Sequence, residues 1–88
     1  MSIAGEKVLP TVNEVKGWTK TEQLITFLDN QKQNFGLEDE HLDFFRKKGV
    51  NGISFLRLNA DKLTNAGLEL GPAETIAELI ENIKGEGQ

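Results

Sequence analysis

The 88-residue sequence contains no cysteine. This absence excludes disulfide frameworks, zinc sites built on thiolates and cysteine nucleophiles. A small domain without disulfides must fold by side-chain packing alone, which suits a reducing compartment. We therefore expect a cytoplasmic location, with the nucleus as the alternative.

Long apolar runs are also missing. No segment approaches the roughly 18 consecutive apolar residues that a membrane span requires. Residues 1–10 lack the continuous apolar region of a signal peptide. We therefore expect neither a membrane-spanning helix nor a secretory leader, and no membrane partner.

Side chains suited to catalysis are scarce. The sequence has one histidine, His41, and no tyrosine, and the available serines are Ser2 and Ser54. No set of nucleophile, base and orienting group can be assembled from these residues. Phosphate-loop and dinucleotide-binding motifs are absent as well. We expect no enzyme, no small-molecule substrate, no metal and no cofactor, and we interpret His41 as an ordinary surface or boundary residue.

Acidic residues outnumber basic ones, 14 to 10, which gives a formal net charge of −4. This balance argues against a protein whose whole surface binds nucleic acid. Hydrophobic residues make up 38% of the sequence and charged residues 27%, as is typical of a single soluble globular domain.

The chain divides into a central region with helical signals and two ends without them. Glycine and proline interrupt residues 1–17, which we expect to form an extended lead-in or flexible arm. Residues 85–88 are expected to form a tail. The domain itself is predicted to occupy residues 18–84.

Two helices are predicted in the first half of this domain. The first begins with a capping box between Thr19 and Glu22 and ends near Gln31, where its apolar stripe gives way to polar residues. The second begins near Glu38 and ends at Gly49, which fits the left-handed residue of a helix stop. The residues expected to face the core are Leu24, Phe27, Leu28, Leu42 and Phe45, with Phe44 at the edge and Val50 packed on Phe45.

The region after Asn51-Gly52 has two interpretations. Local rules predict a hairpin turn followed by a short strand. However, no partner strand is evident elsewhere in the chain. We therefore predict a short helix with Ile53 and Leu56 facing inward.

Two further helices complete the domain. Asn59 caps a short helix that ends at Gly67, with Leu68 folding back on Leu63. The last and longest helix is predicted to start at Gly71-Pro72, with the proline at the first helical position. Its apolar face consists of Ala73, Ile76, Leu79, Ile80 and Ile83.

The order and spacing of these residues resemble those of a sterile alpha motif (SAM) domain over residues 18–84. The matching residues are Trp18, Phe45, Val50-Asn51-Gly52, Phe55-Leu56, Leu58, Leu63, Gly67-Leu68, Leu70-Gly71-Pro72-Ala73, Ile76 and Ile80. The resemblance implies an all-α fold, a compact five-helix bundle with a long C-terminal helix. It also implies a protein-interaction module that pairs with another SAM-like domain, possessing one surface at the start of the last helix and one around the middle of the domain. From the resemblance we expect such a module to serve as a scaffold or signalling adaptor.

Other uses known for SAM domains supply the alternatives. Some bind RNA hairpins through basic residues around the start of the last helix, and a few bind lipids. Here Glu69 and Glu74 flank that start and would repel phosphate, so nucleic acid is the weaker alternative. The run Arg46-Lys47-Lys48 leaves a lipid or another anion as an alternative ligand, although it has fewer bases than the roughly 4–8 of a lipid-binding cluster.

Charge is divided between two stretches of the sequence. Residues 46–62 carry five bases and one acid, whereas residues 69–81 carry four acids and no base. Opposite charges on two surfaces favour head-to-tail association, because complementary potentials orient the partner. The polarity is opposite to that most familiar in SAM domains, whose last helix is usually basic. The same charges also complement the helix dipoles, so a solvated surface without a binding role is the alternative.

Two candidate partner-binding faces follow from this division. The last-helix face consists of Leu70, Gly71, Pro72, Ala73, Glu74 and Glu78. The middle face consists of Lys47, Lys48, Asn51, Arg57 and Lys62. Leu70, Pro72 and Ala73 form an apolar knob in one interpretation, and Leu70 turns into the core in the other.

Overall fold

The structure, a computed structural model, describes residues 9–86, with the backbone alone for Glu86. Within this range the chain forms six helices: α1 Val12–Lys16, α2 Thr21–Phe35, α3 Asp39–Lys48, α4 Gly52–Leu56, α5 Ala60–Asn65 and α6 Leu70–Glu86. Residues 9–86 contain no strand, so the predicted all-α bundle is confirmed, with one helix more than expected. No helix in this range is both long and apolar enough to cross a membrane.

The core takes side chains from every helix. The predicted apolar face of α6 is confirmed, since all five of its residues are buried. Phe45 of α3 and Phe55 of α4 meet edge to face, with ring centroids 6.0 Å apart. The other buried hydrophobic residues are Val15, Leu24, Ile25, Leu28, Leu37, Leu42, Val50, Leu56, Leu63 and Leu68. This packing fixes where the exposed start of α6 lies on the bundle.

Helix α1 lies where the sequence predicted an extended lead-in, and that expectation is wrong for residues 12–16. A capping box begins the helix: Glu14 N–H donates to Thr11 Oγ1 at 3.1 Å, and Thr11 N–H donates to Glu14 Oε1 at 2.9 Å. Val15 is fully buried. Residues 1–8, which the same prediction covered, lie outside the described residues.

Helix α2 begins and ends later than predicted. Its N-cap is Lys20, whose backbone N–H donates to Gln23 Oε1 at 3.0 Å, so the predicted box between Thr19 and Glu22 is wrong. The helix continues through its polar stretch to Phe35 and stops at Gly36, which has a left-handed φ of 70°. Leu24 and Leu28 are buried as predicted. Phe27 is only half-buried and stacks at an angle on Trp18.

The predicted stops of α3 and α5 are confirmed. Gly49 has φ of 66°, and Val50 N–H donates to Phe45 O at 3.1 Å. Gly67 has φ of 113°, and Leu68 N–H donates to Leu63 O at 3.0 Å. Both stops need a residue that adopts positive φ without strain, which is why glycine ends both helices.

Helix α4 is the short helix predicted after Asn51, and Asn51 caps it by accepting from Ser54 N–H at 3.0 Å. The predicted orientation is half wrong. Leu56 faces inward, but Ile53 is 39% exposed and Phe55 takes the core position. The helix is oriented by Gly52, whose N–H donates to Trp18 O at 2.9 Å.

Helix α6 begins at Leu70, so Pro72 occupies the third helical position and the predicted first position is wrong. The proline is still within the first turn, where a backbone N–H has no partner inside the helix. At the other end the helix runs to Glu86, so Gly85 and Glu86 are helical rather than part of a tail. Residues 87 and 88 lie outside the described residues.

Candidate functional site

The last-helix face is exposed at four of its six positions. Leu70 is 63% exposed, so its side chain faces outward and does not turn into the core. Gly71, Glu74 and Glu78 are also exposed, and Pro72 is half-buried. Ala73 is fully buried in the core, so its assignment to this face is wrong. Of the three residues predicted to form the apolar knob, Leu70 is exposed, Pro72 is half-buried and Ala73 is buried.

The middle face contains four exposed bases and one structural residue. Lys47, Lys48, Arg57 and Lys62 are exposed. Asn51 is half-buried and caps α4, and its Nδ2 donates to Thr19 O at 3.3 Å. Because both ends of its amide are engaged, Asn51 positions α4 and leaves recognition to the bases around it.

The bases of the middle face differ in how freely they can meet a partner. Lys62 Nζ donates to Arg57 O at 3.0 Å, which covers the end of α4. Lys48 Nζ lies 6.0 Å from the centroid of the Phe44 ring. In residues 9–86, the Arg57 guanidinium makes no ion pair or hydrogen bond. It can therefore donate hydrogen bonds to a carboxylate of a partner protein.

Arg46, which adds to the positive charge of the sequence, is held by acids. Its Nε lies 3.1 Å from Glu22 Oε2, and its Nη1 lies 2.8 Å from Asp43 Oδ1. Glu22 and then Asp43 raise the pKa of the Arg46 guanidinium above its usual value. The triple run Arg46-Lys47-Lys48 therefore offers an anion two uncompensated charges.

A further ion-pair cluster joins α2 to α3. Lys32 Nζ donates to Asp39 Oδ1 and lies 3.2 Å from Asp29 Oδ1. The hydrogen bond from Lys32 holds the pKa of Asp39 below its usual value. All three groups are exposed in part, so their contribution to stability is small.

A cavity of about 300 Å³ lies between α3 and the α5–α6 connection. We call it the His41 cavity; its lining residues are Glu40, His41, Phe44, Lys47, Gly67, Leu68 and Glu69. The sequence alone does not predict this cavity, because it forms only where the start of α3 meets the start of α6. Lys47 of the middle face lines this cavity together with Glu69, which directly precedes the last-helix face in the sequence.

His41 is buried in this cavity rather than being an ordinary surface residue, since it is only 8% exposed. Its Nδ1 accepts the Glu38 backbone N–H at 2.9 Å. Its Nε2 is buried without a hydrogen-bond partner in the described part of the chain. Glu40 Oε2 and Glu69 Oε1 each lie 3.7 Å from Nε2. The accepting Nδ1 places the proton of the neutral ring on Nε2, facing the two carboxylates.

Three potential metal ligands meet in this cavity. One ligand atom from each of Glu40, His41 and Glu69 lies within 4.8 Å of the others. A histidine that binds metal usually donates its other ring N–H to an acceptor. In His41 the other ring nitrogen, Nδ1, accepts a hydrogen bond from Glu38 N–H instead of donating one. The proton of the neutral ring is therefore on Nε2, which has no lone pair left for a metal ion. The donor set therefore does not fit a metal site.

We expect NMR to find His41 in the Nε2–H tautomer when the ring is neutral. Long-range ¹H–¹⁵N correlations identify the protonated nitrogen, and the spectrum is unambiguous because the sequence has one histidine. Added Zn²⁺ is expected to leave the ring resonances unchanged. A proton on Nδ1, or a ring shift that saturates with Zn²⁺, would contradict this assignment. Glu69→Gln serves as the control, since the tautomer depends on the Glu38 N–H.

A family model described as a SAM-like domain matches residues 1–82. The chain belongs to the SAM-like domain family. Its resemblance to SAM domains is thereby confirmed, and the match also includes α1 of this SAM-like domain. Comparisons with curated proteins and with solved structures found no match. SAM-like domains are in general protein-interaction modules that bind other protein domains, and they are typically not catalytic.

Proposed function

We propose that this SAM-like domain associates head to tail with another SAM-like domain, a second copy or a related one, through the last-helix face and the middle face. In this role it is a scaffold or signalling adaptor. The observation that carries the proposal is Leu70, a large apolar side chain that is 63% exposed at the start of α6. The acids Glu69 and Glu74 flank Leu70 in the sequence. The middle face carries exposed bases, namely Lys47, Lys48, Arg57 and Lys62.

The exposure of Leu70 supports an interface centre. Exposed apolar side chains are ordinary when scattered singly. Leu70 instead lies at the very start of a helix, with Glu69 and Glu74 on either side in sequence. An apolar anchor within a charged rim is the arrangement that gives most of the affinity in protein interfaces.

The charges support an association between unlike surfaces. Glu74 and Glu78 are exposed on α6, and Lys48 and Arg57 are exposed on the middle face. Complementary potentials steer the encounter and fix its orientation. A contact between two different surfaces of one domain repeats until it closes into a ring, and otherwise it extends as a filament.

The alternative ligands have less support. RNA binding at the start of α6 would place phosphate against Glu69 and Glu74. Lipid or anion binding at the run of three bases is weakened because Glu22 and Asp43 already hold Arg46. No described feature favours either ligand over a protein partner.

Sedimentation velocity over a concentration series, at low and high salt, tests the proposal. The mass is expected to rise with concentration and to fall with salt, because the contact depends on exposed charges. Glu74→Lys and Lys48→Glu are each expected to weaken association by about tenfold. Glu81→Lys is the matched control, as it places the same charge on α6 about three turns away from its start.

Circular dichroism checks that each variant is folded. Unchanged association in both face variants would contradict the proposal. A fixed dimer would indicate a symmetric interface and would contradict the head-to-tail arrangement. A monomer at every concentration would exclude a second copy as the partner.

A further inference from the structure

We infer that the His41 cavity is a receptor for an arginine side chain, that of Arg57 in a second copy of this chain. The inference rests on the proposed head-to-tail association and specifies its central contact. It assigns the receiving group to Glu40 and Glu69, neither of which belonged to the two predicted faces.

The receptor consists of two converging carboxylates from different elements. Glu40 lies in the first turn of α3, and Glu69 immediately precedes α6. Both side chains are mostly exposed, and both reach within 3.7 Å of His41 Nε2. In residues 9–86, neither carboxylate pairs with a lysine or an arginine. Two unpaired carboxylates on one cavity match a guanidinium, whose five N–H donors spread in a planar fork.

His41 acts as a positioning residue in this receptor. Its buried Nε2–H lacks an acceptor, and a small rotation of either glutamate brings an oxygen from 3.7 Å to hydrogen-bonding distance. The single N–H of the neutral imidazole would then hold one of the two carboxylates in the cavity before a partner arrives. Ordering a receiving group in advance lowers the entropy that binding must overcome.

Arg57 is the occupant that this chain itself offers. The sequence has two arginines, and Arg46 is already held by Glu22 and Asp43. Arg57 is exposed, and its guanidinium has no partner in the described part of its own chain. Lys47 lines the receptor wall as a weaker competitor, because an ammonium lacks the planar fork of a guanidinium.

Apolar side chains complete the match. The large hydrophobic side chains exposed in residues 9–86 are Ile53 and Leu70. Leu70 follows Glu69 directly. Ile53 lies in α4, four residues before Arg57, which caps the end of that helix, and both side chains are exposed. Docking Arg57 into the His41 cavity therefore brings the Ile53 of one copy towards the Leu70 of the other. The same arrangement thus pairs opposite charges and brings two exposed apolar side chains together.

Two neutral variants test the contact. Arg57→Gln removes the inserted cation, and Glu69→Gln removes a receiving carboxylate with little change in shape. Each alone is expected to raise the dissociation constant of self-association by about tenfold to a hundredfold in sedimentation velocity. Glu81→Gln, the same substitution further along α6, is the control and is expected to behave as the unmodified chain does.

Mixing the two variants distinguishes this contact from a general charge effect. An equimolar mixture retains one intact contact, Arg57 of the Glu69→Gln chain in the cavity of the Arg57→Gln chain. We expect a 1:1 heterodimer whose mass stops at two chains. The His41 Nε2–H resonance is expected to shift on self-association of the unmodified chain and to stay in place in Arg57→Gln.

The outcomes separate this inference from the proposed function. If both neutral variants associate like the unmodified chain while Glu74→Lys is weakened, the inference is wrong and the head-to-tail proposal stands. If the variants are weakened but their mixture forms no heterodimer, Arg57 docks elsewhere and the inference is again wrong. If the unmodified chain remains monomeric at every concentration, both self-association and this contact are overturned.

Discussion

Gly52→Ala is expected to destabilise this SAM-like domain by about 3 kcal/mol or more. A Cβ at this position would lie 1.9 Å from the carbonyl oxygen of Val15 and 2.9 Å from its carbonyl carbon. Both are backbone atoms, so no side-chain rotation relieves the clash. Helix α4 cannot move away without losing the 2.9 Å hydrogen bond from Gly52 N–H to Trp18 O.

Urea unfolding measures this effect, and Gly71→Ala is its control. Gly71 is also helical, but a Cβ there would meet no atom within 4 Å. Alanine at such a position is expected to stabilise by about 0.4–1 kcal/mol, because it restricts the unfolded chain. Equal unfolding midpoints for the two variants would contradict the close approach of α1 and α4.

Val15→Asp is expected to cost about 3–5 kcal/mol, because it places an unpaired carboxylate where a fully buried valine stands. A domain of this size has a total stability of about 5–15 kcal/mol, so a large part of it would be lost. The decrease in the free energy of unfolding measures how strongly the packing of α1 against the core stabilises the domain. A flexible arm at this position would tolerate the same substitution.

Asn13→Asp is the matched control for Val15→Asp. It adds the same charge to the same helix at an exposed position in the first turn, where a negative charge is favourable. Thermal unfolding followed by circular dichroism is expected to give a large decrease in melting temperature for Val15→Asp and almost none for Asn13→Asp. Similar decreases for both variants would mean that α1 does not belong to the core.

Local sequence signals predicted the elements that local interactions decide. The glycine stops of α3 and α5, the cap at Asn59 and the apolar face of α6 all agree with the structure. Each depends on groups within about one or two helical turns, so the sequence contains all the necessary information. The same reasoning identified most of the exposed charges of the two faces.

The errors lie where packing between distant segments decides the result. A helix as short as α1 shows no period to recognise, and its isolated form is unstable without the core around Val15. Ile53 and Phe55 are both apolar, and it is Phe55 that packs against Phe45 of α3 while Ile53 stays exposed. The sequence assigns Ala73 both to the apolar face of α6 and to the last-helix face, and the rotation of α6 in the bundle turns it into the core.

The sequence by itself determined the helical class, the ends of α3 and α5 and the separation of acidic from basic stretches, because these follow from residue types and short-range geometry. Only the tertiary structure decided that Leu70 points outward and that Glu40, His41 and Glu69 share one cavity. Those residues come from the starts of two helices that are distant in the chain. Their convergence depends on how α3 and α6 pack, and periodicity within one helix carries no information about its orientation to another.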